Sequence, residues 1–145
     1  DLSKNSTLRL PEADVWGVLM KKDDPFAEKA SITADELRGT PLICSRQSLR
    51  KGSQLCEWFG GDMEKLNICA EYNLVYNASL LVREGIGRAI SIDKIINTGG
   101  DSGLCFRPLY PALETRLDIA WKANAVFSRP AQIFLEYMQQ SAKQA

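Results

Sequence analysis

The 145-residue sequence contains no histidine. The usual general base and the commonest zinc ligand are therefore missing, which removes most catalytic triads and most zinc sites. It also lacks a charge excess of either sign, since eighteen Lys and Arg offset eighteen Asp and Glu. A self-sufficient nucleic-acid binder carries surplus basic charge to neutralise phosphates, so DNA binding by this chain alone is not expected. No apolar run approaches the ~20 residues that cross a bilayer. The start, Asp1 to Asn5, is polar and not signal-like. Asp1 stands where a complete chain opens with Met, which reads as a fragment or a processed chain. These absences predict a cytoplasmic protein that is not an enzyme, holds no metal or other cofactor, and does not engage a membrane.

What is present fits one domain, or one lobe with attachments. The composition is 45% hydrophobic and 25% charged, an ordinary globular mix that excludes disordered and fibrous classes. Cys44, Cys56, Cys69 and Cys105 form no C-x-x-C pair, and three of the four lie in apolar stretches. A chain of this length builds a core without disulfides, so free, buried thiols are expected in a reducing compartment. The sequons at Asn5 and Asn77 are read as chance triplets.

Short apolar runs alternate with helix-like stretches. Val15 to Met20 reads as a strand that stops at the charged turn Lys21 to Pro25. Thr33 and Glu36 form a capping box, and Gly39 closes that short helix. Pro41 to Cys44 is a second strand. A helix is expected over Ser45 to Phe59, because Leu55, Cys56 and Phe59 share a face, with Gly60-Gly61 as its stop. Strands follow at Leu66 to Ala70 and Ala89 to Ile92, separated by a helix over Asn73 to Glu84. Gly99 to Gly103 is a turn between further strands near Leu104 to Leu109 and Arg116 to Trp121. Ser128-Arg129-Pro130 opens a closing helix with Ile133, Phe134, Tyr137 and Met138 on one face. Apolar strands separated by amphipathic helices predict an α/β fold with a mixed, mainly parallel sheet flanked by helices. Ligands of such sheets sit beyond the carboxyl ends of the strands. Two strand-to-helix joints there are rich in small polar groups: Ser45-Arg46-Gln47-Ser48 and Glu71-Tyr72-Asn73.

Several runs resemble the LysR-type transcriptional regulators. They are Leu10-Pro11, Asp14 to Met20 with Asp24 to Ala27, Ile32 to Ile43, Leu81 to Gly87, Leu104 to Leu109, Asp118 to Lys122 and Ser128 to Tyr137. Their order and spacing cover roughly residues 8 to 140. The resemblance implies part of an effector-binding region with the two-lobed, periplasmic-binding-protein-like (type 2) fold. Residues 21–115 would be regulatory lobe two, and 8–20 and 116–121 the hinge strands. Residues 128–143 would be a C-terminal helix that normally docks on lobe one. DNA would be contacted only through an N-terminal domain absent from this sequence.

In that family, effectors lie between the lobes. Carried over, the resemblance points to Ser45, Arg46 and Gln47 at the first joint and to Asn73, Leu74 and Val75 at the second, where the side-chain chemistry of Tyr72 adds an aromatic able to stack on or hydrogen-bond a ligand. Backbone N–H groups, a helix dipole and the Arg46 guanidinium together favour an anionic effector. The competing readings are that Ser45 or Ser48 caps a helix, that Arg46 is solvated, and that Asn73 is a plain N-cap. Tyr72 and Tyr76 are as well explained as half-buried aromatics, and Trp16 as core. Gly85-Ile86-Gly87 follows a helix instead of a strand and lacks a third Gly, so it is a turn and not a nucleotide fingerprint. Arg46, Arg50 and Lys51 read as a solvated helix face, and Asp23-Asp24 as a loop pair without a catalytic partner. The expected function is ligand sensing in a regulator. A solute-binding lobe or a small α/β enzyme of the same fold is the alternative. The apolar stripe of the closing helix predicts a homodimer through residues 128–140.

Overall fold

A computed structural model describes residues 5–144, so the polar start at residues 1–4 lies outside the described residues. The chain divides into two compact units, residues 15–114 and residues 1–14 with 115–145. Its strands are β1 (Asn5–Lys21), β2 (Ile32–Thr33), β3 (Leu42–Ser45), β4 (Ile68–Tyr72), β5 (Arg88–Ile92), β6 (Leu104–Tyr110) and β7 (Glu114–Lys122). The α-helices are α1 (Ala34–Leu37), α2 (Gln54–Trp58), α3 (Val75–Arg83) and α4 (Arg129–Gln144).

In the larger unit the sheet order is β2-β6-β1-β5-β3-β4. Strand β1 runs antiparallel to β5, with Val18 opposite Ile90, and antiparallel to β6, with Leu19 opposite Phe106. Strand β3 is parallel to both β4 and β5, and β2 is parallel to β6. The sheet is therefore mixed, as the pattern of apolar runs predicts. Val18 and Met20 enter one buried cluster with Leu42, Cys44, Leu55, Phe59 and Ile90. Leu19 points the other way, against Ile43, Ala78, Val82, Ala89 and Leu104. Alternating side chains thus serve two cores, which is why the run reads as continuously apolar. Gly17 sits where a Cβ would overlap the Phe106 ring and the Arg107 carbonyl oxygen.

The charged turn after β1 does more than stop a strand. Asp24 caps the 3₁₀ turn Pro25–Glu28, accepting from the Phe26 N–H at 2.8 Å. Arg88 Nη2 donates to Asp24 Oδ1 at 3.0 Å, and Arg88 Nε lies 2.9 Å from Oδ2. The same guanidinium covers the Phe26 ring at 4.2 Å. Both charged side chains are about five-sixths buried, at 16% and 15% exposure. The loop-pair expectation for Asp23-Asp24 misses this bond, because nothing local in the sequence links position 24 to position 88.

The capping box forms as expected: Thr33 Oγ1 accepts from the Glu36 N–H, and Glu36 Oε2 accepts from the Thr33 N–H at 2.8 Å. Lys29 Nζ lies 2.7 Å from Glu36 Oε1. Lys29 first, and the Thr33 donors second, pull the Glu36 carboxyl from 4.5 down to about 2. The contribution of this cluster is therefore complete above the ordinary carboxylate range and is lost as the pH falls toward 2.

Three expectations are corrected. The helix over Ser45 to Phe59 is only Gln54–Trp58, capped by Ser53 at the Cys56 N–H, and residues 46–52 are turns with Gly52 at φ 78°. Arg46, Arg50 and Lys51 consequently do not share a helix face. The helix expected over Asn73 to Glu84 starts at Val75 with Leu74 as N-cap, so Asn73 is not the cap. Cys69 is exposed, whereas Cys44, Cys56 and Cys105 are the buried free thiols. The two-residue strand β2 is too short to leave a periodicity in the sequence.

In the smaller unit β7 pairs with β1, and Arg9 grips Asp118 with Nε and Nη2 at 3.0 and 3.2 Å. Helix α4 presents Ile133, Phe134 and Tyr137 at 56%, 56% and 66% exposure.

The close approach at Gly17 yields a prediction. Gly17→Ala overfills the β1–β6 contact and should destabilise the larger unit by about 1–3 kcal/mol. Urea unfolding with an unchanged midpoint would contradict this packing.

Candidate functional site

Parallel pairing brings the two polar joints together. Ser45 at the end of β3 is in register with Tyr72 at the end of β4, and the Arg46 N–H donates to the Tyr72 carbonyl at 3.1 Å. The first joint is folded by its own serines. Ser45 Oγ accepts from the Ser48 N–H at 3.1 Å, Ser48 Oγ donates to the Ser45 carbonyl at 2.8 Å, and Ser53 Oγ donates to the Ser48 carbonyl at 2.6 Å. Short hydroxyl side chains make such local bonds readily, which explains a turn where an apolar period suggests helix. Arg46 and Gln47 are left on the surface. Arg46 Nε lies 3.3 Å from Glu71 Oε2, with side-chain exposures of 68% and 48%.

At the second joint Tyr72 is half-buried, and its hydroxyl donates to the Ile90 carbonyl at 2.8 Å. Burial first, then the neighbouring Cys44 thiol, pushes its pKa up to about 12. The phenol is thus committed to the interior, where it braces β4 against β5. Asn73 and Leu74 are exposed, Leu74 at 66%, and Val75 is half-buried. Helix α3 begins without a side-chain cap, so the positive end of its dipole is not satisfied by a neighbouring residue's side chain.

The seven candidate residues therefore lie at two adjoining strand ends and the start of α3. Arg46, Gln47, Asn73 and Leu74 are accessible, while Ser45 and Tyr72 shape the joints from within. None of the seven lines the hollow of about 480 Å3 bounded by Val15, Asp93, Thr98, Phe106 and Pro108. The sequence names Glu71 as part of the second joint but gives it no role in the site, and the structure sets it against Arg46. Its signal is available, since an outward position of β4 directly before Tyr72 falls beside the end of β3 once the two strands pair. Among the described residues no group of three or more Cys, Asp or Glu is placed to hold a metal ion. No helix of the described residues is long and apolar enough to cross a membrane.

The family model described as the LysR substrate binding domain matches residues 10–143. No curated protein matches the chain. Among solved structures, a putative LysR family transcriptional regulator from Pseudomonas aeruginosa is similar with a TM-score of 0.72 at 19% identity. That match covers 96% of this chain and 50% of the other. HinK, a LysR family regulator from the same organism, matches with a TM-score of 0.72 at 20% identity over 99% of this chain and 50% of its own. The CcmR regulatory domain of Synechocystis PCC6803, in complex with 2-PG, gives 0.70 at 18% identity, covering 97% of this chain and 68% of that one. The effector binding domain of QuiR, in complex with shikimate, gives 0.70 at 15% identity over 95% and 66%. The chain spans about half the length of the first two regulators. At these identities the likeness establishes the fold.

Thiol chemistry reports on the layer beneath the joints. Burial, reinforced by Cys69 and Glu71, pushes the Cys44 thiol from 9.0 up to about 12, and burial also raises Cys105. Iodoacetamide at neutral pH should alkylate Cys69 first and leave Cys44, Cys56 and Cys105 unmodified until urea is added. Rapid labelling of Cys44 in the folded chain, read by peptide mass spectrometry, would contradict the burial of β3.

Proposed function

Because the chain belongs to the family of LysR substrate-binding domains, we propose that it is the effector-sensing part of a bacterial transcriptional regulator. In this reading it is a binding module without catalysis, working in the cytoplasm, and DNA is contacted by a domain outside this sequence. The observation that carries the placement of the effector is the register of Ser45 with Tyr72, which sets Arg46, Gln47, Asn73 and Leu74 on one surface. That surface offers a guanidinium and an uncapped α3 start, both suited to negative charge. The ligands of two neighbours support a small polar effector, since shikimate is a carboxylic acid and 2-PG accompanies CcmR. Effector binding acts by favouring one arrangement of the regulator over another, to the extent of its differential affinity.

A thermal-shift screen of small carboxylic and phosphorylated acids against the chain tests this. A ligand at a hundred times its Kd contributes about 2.7 kcal/mol, or a rise of roughly 5–10 °C for a chain of this size. Arg46→Ala should keep the unliganded midpoint and lose the rise. A full ligand-induced rise in Arg46→Ala removes the first joint from the site.

Helix α4 supports assembly into a homodimer. Ile133, Phe134 and Tyr137 are more than half exposed on one face, and burying each is worth about 1.5–3 kcal/mol. A second copy is the partner at hand in any solution of the chain. Light scattering at tens of micromolar should give twice the 16.1 kDa chain mass, and Phe134→Glu should halve it. A wild-type monomer overturns the dimer.

A further inference from the structure

From the sequence Arg46 reads as a cation for an effector or as a solvated side chain, but the structure gives it a partner. Arg46 Nε faces Glu71 Oε2 at 3.3 Å across the ends of β3 and β4. We propose that Glu71 is a resident counter-carboxylate, occupying the guanidinium until an anionic effector displaces it, and so sets how strongly the site discriminates for negative charge. This rests on the anion-accepting role of Arg46 proposed above.

Geometry makes the exchange feasible. The Arg46 backbone is fixed by its N–H bond to the Tyr72 carbonyl, and Glu71 is fixed by the β3–β4 ladder, where it sits opposite Cys44. The two side chains are therefore held within reach while their tips stay in water, at 68% and 48% exposure. A buried pair would be too costly to open, because each charge would be stranded. An exposed pair is weak, so an incoming carboxylate or phosphate can take over the same donors at little cost. Glu71 also disfavours ligands without negative charge, since they can neither replace its carboxylate nor neutralise Arg46. Glu71 is thus a positioning residue: it parks the guanidinium at the carboxyl edge of the sheet and keeps it there in the unliganded state.

The test uses the isotope-labelled 145-residue chain and inorganic phosphate as the probe, with sodium chloride at matched ionic strength as the reference. Amide shifts of Arg46, Gln47 and Asn73 give an apparent Kd, and the Arg46 Nε–H signal reports the ion pair. Glu71→Gln should bind phosphate about two- to fivefold more tightly, the fold-change that an exposed pair is worth. Its Arg46 Nε–H should exchange faster without phosphate and regain protection on binding, which a merely structural role would not produce. Glu84→Gln makes the same change in net charge at the opposite end of α3 from the joint, and should leave the Kd unchanged. If Glu71→Gln binds as wild type does while Arg46→Ala loses binding, the anion site stands and the counter-carboxylate is overturned. Equal tightening in Glu84→Gln also overturns it, as a general charge effect. If neither wild type nor Glu71→Gln shifts with phosphate, both the anion site and the counter-carboxylate fall.

Discussion

Strand β1 runs through the middle of the larger unit's sheet, and the other strands are placed against it. Its residues Val18, Leu19 and Met20 are buried to 0%, 1% and 0% exposure, which requires partners on both edges and cover on both faces. β5 and β6 supply the edges, and the two apolar clusters supply the cover. The constraint is tightest at Gly17, where the β6 side chain Phe106 occupies the space of a Cβ. Because β5 is anchored on β1, the parallel strands β3 and β4 extend the sheet outward from it. Their carboxyl ends form the joints that carry the candidate site.

Polar groups then fasten the pieces that the apolar clusters leave loose. Asp24 and Arg88 tie the turn after β1 to the start of β5, with Phe26 under the guanidinium. Leaving either charge without its partner in so sheltered a place would be strongly unfavourable, so the pair specifies where this turn sits. Tyr72 does a similar task, since its half-buried hydroxyl bond to the Ile90 carbonyl holds β4 across β3 from β5. The joint at residues 45–48 can therefore be open at its surface and ordered at its base. Such a combination suits a recognition surface, where accessible groups must hold position before a ligand arrives.

Much of the architecture was legible in the chain itself. The capping box at Thr33 and Glu36, the strand that follows it, the glycines that end helices and the two-sided apolar strand all follow from local chemistry, and the resemblance to LysR-type regulators rests on the same runs. The candidate site was legible in part. Ser45, Arg46, Gln47 and Asn73 are at the joints where the strand order places them, yet the helix expected to point at an anion from Ser45 is absent. Serine hydroxyls and the positive φ of Gly52 turned that segment into a chain of local bonds, which a hydrophobic period cannot reveal.

The sequence by itself determined the class of fold, the longer strands and their succession along the chain, the absence of histidine chemistry and the electrical neutrality of the whole. These depend on composition and on neighbours within a few residues. Only the tertiary structure decided which distant residues meet: Asp24 with Arg88, Arg46 with Glu71, and the Tyr72 hydroxyl with the Ile90 carbonyl. Each of those pairs is set by strand register, and register is fixed by how the apolar faces pack across the sheet, not by any signal local to the residues that it joins.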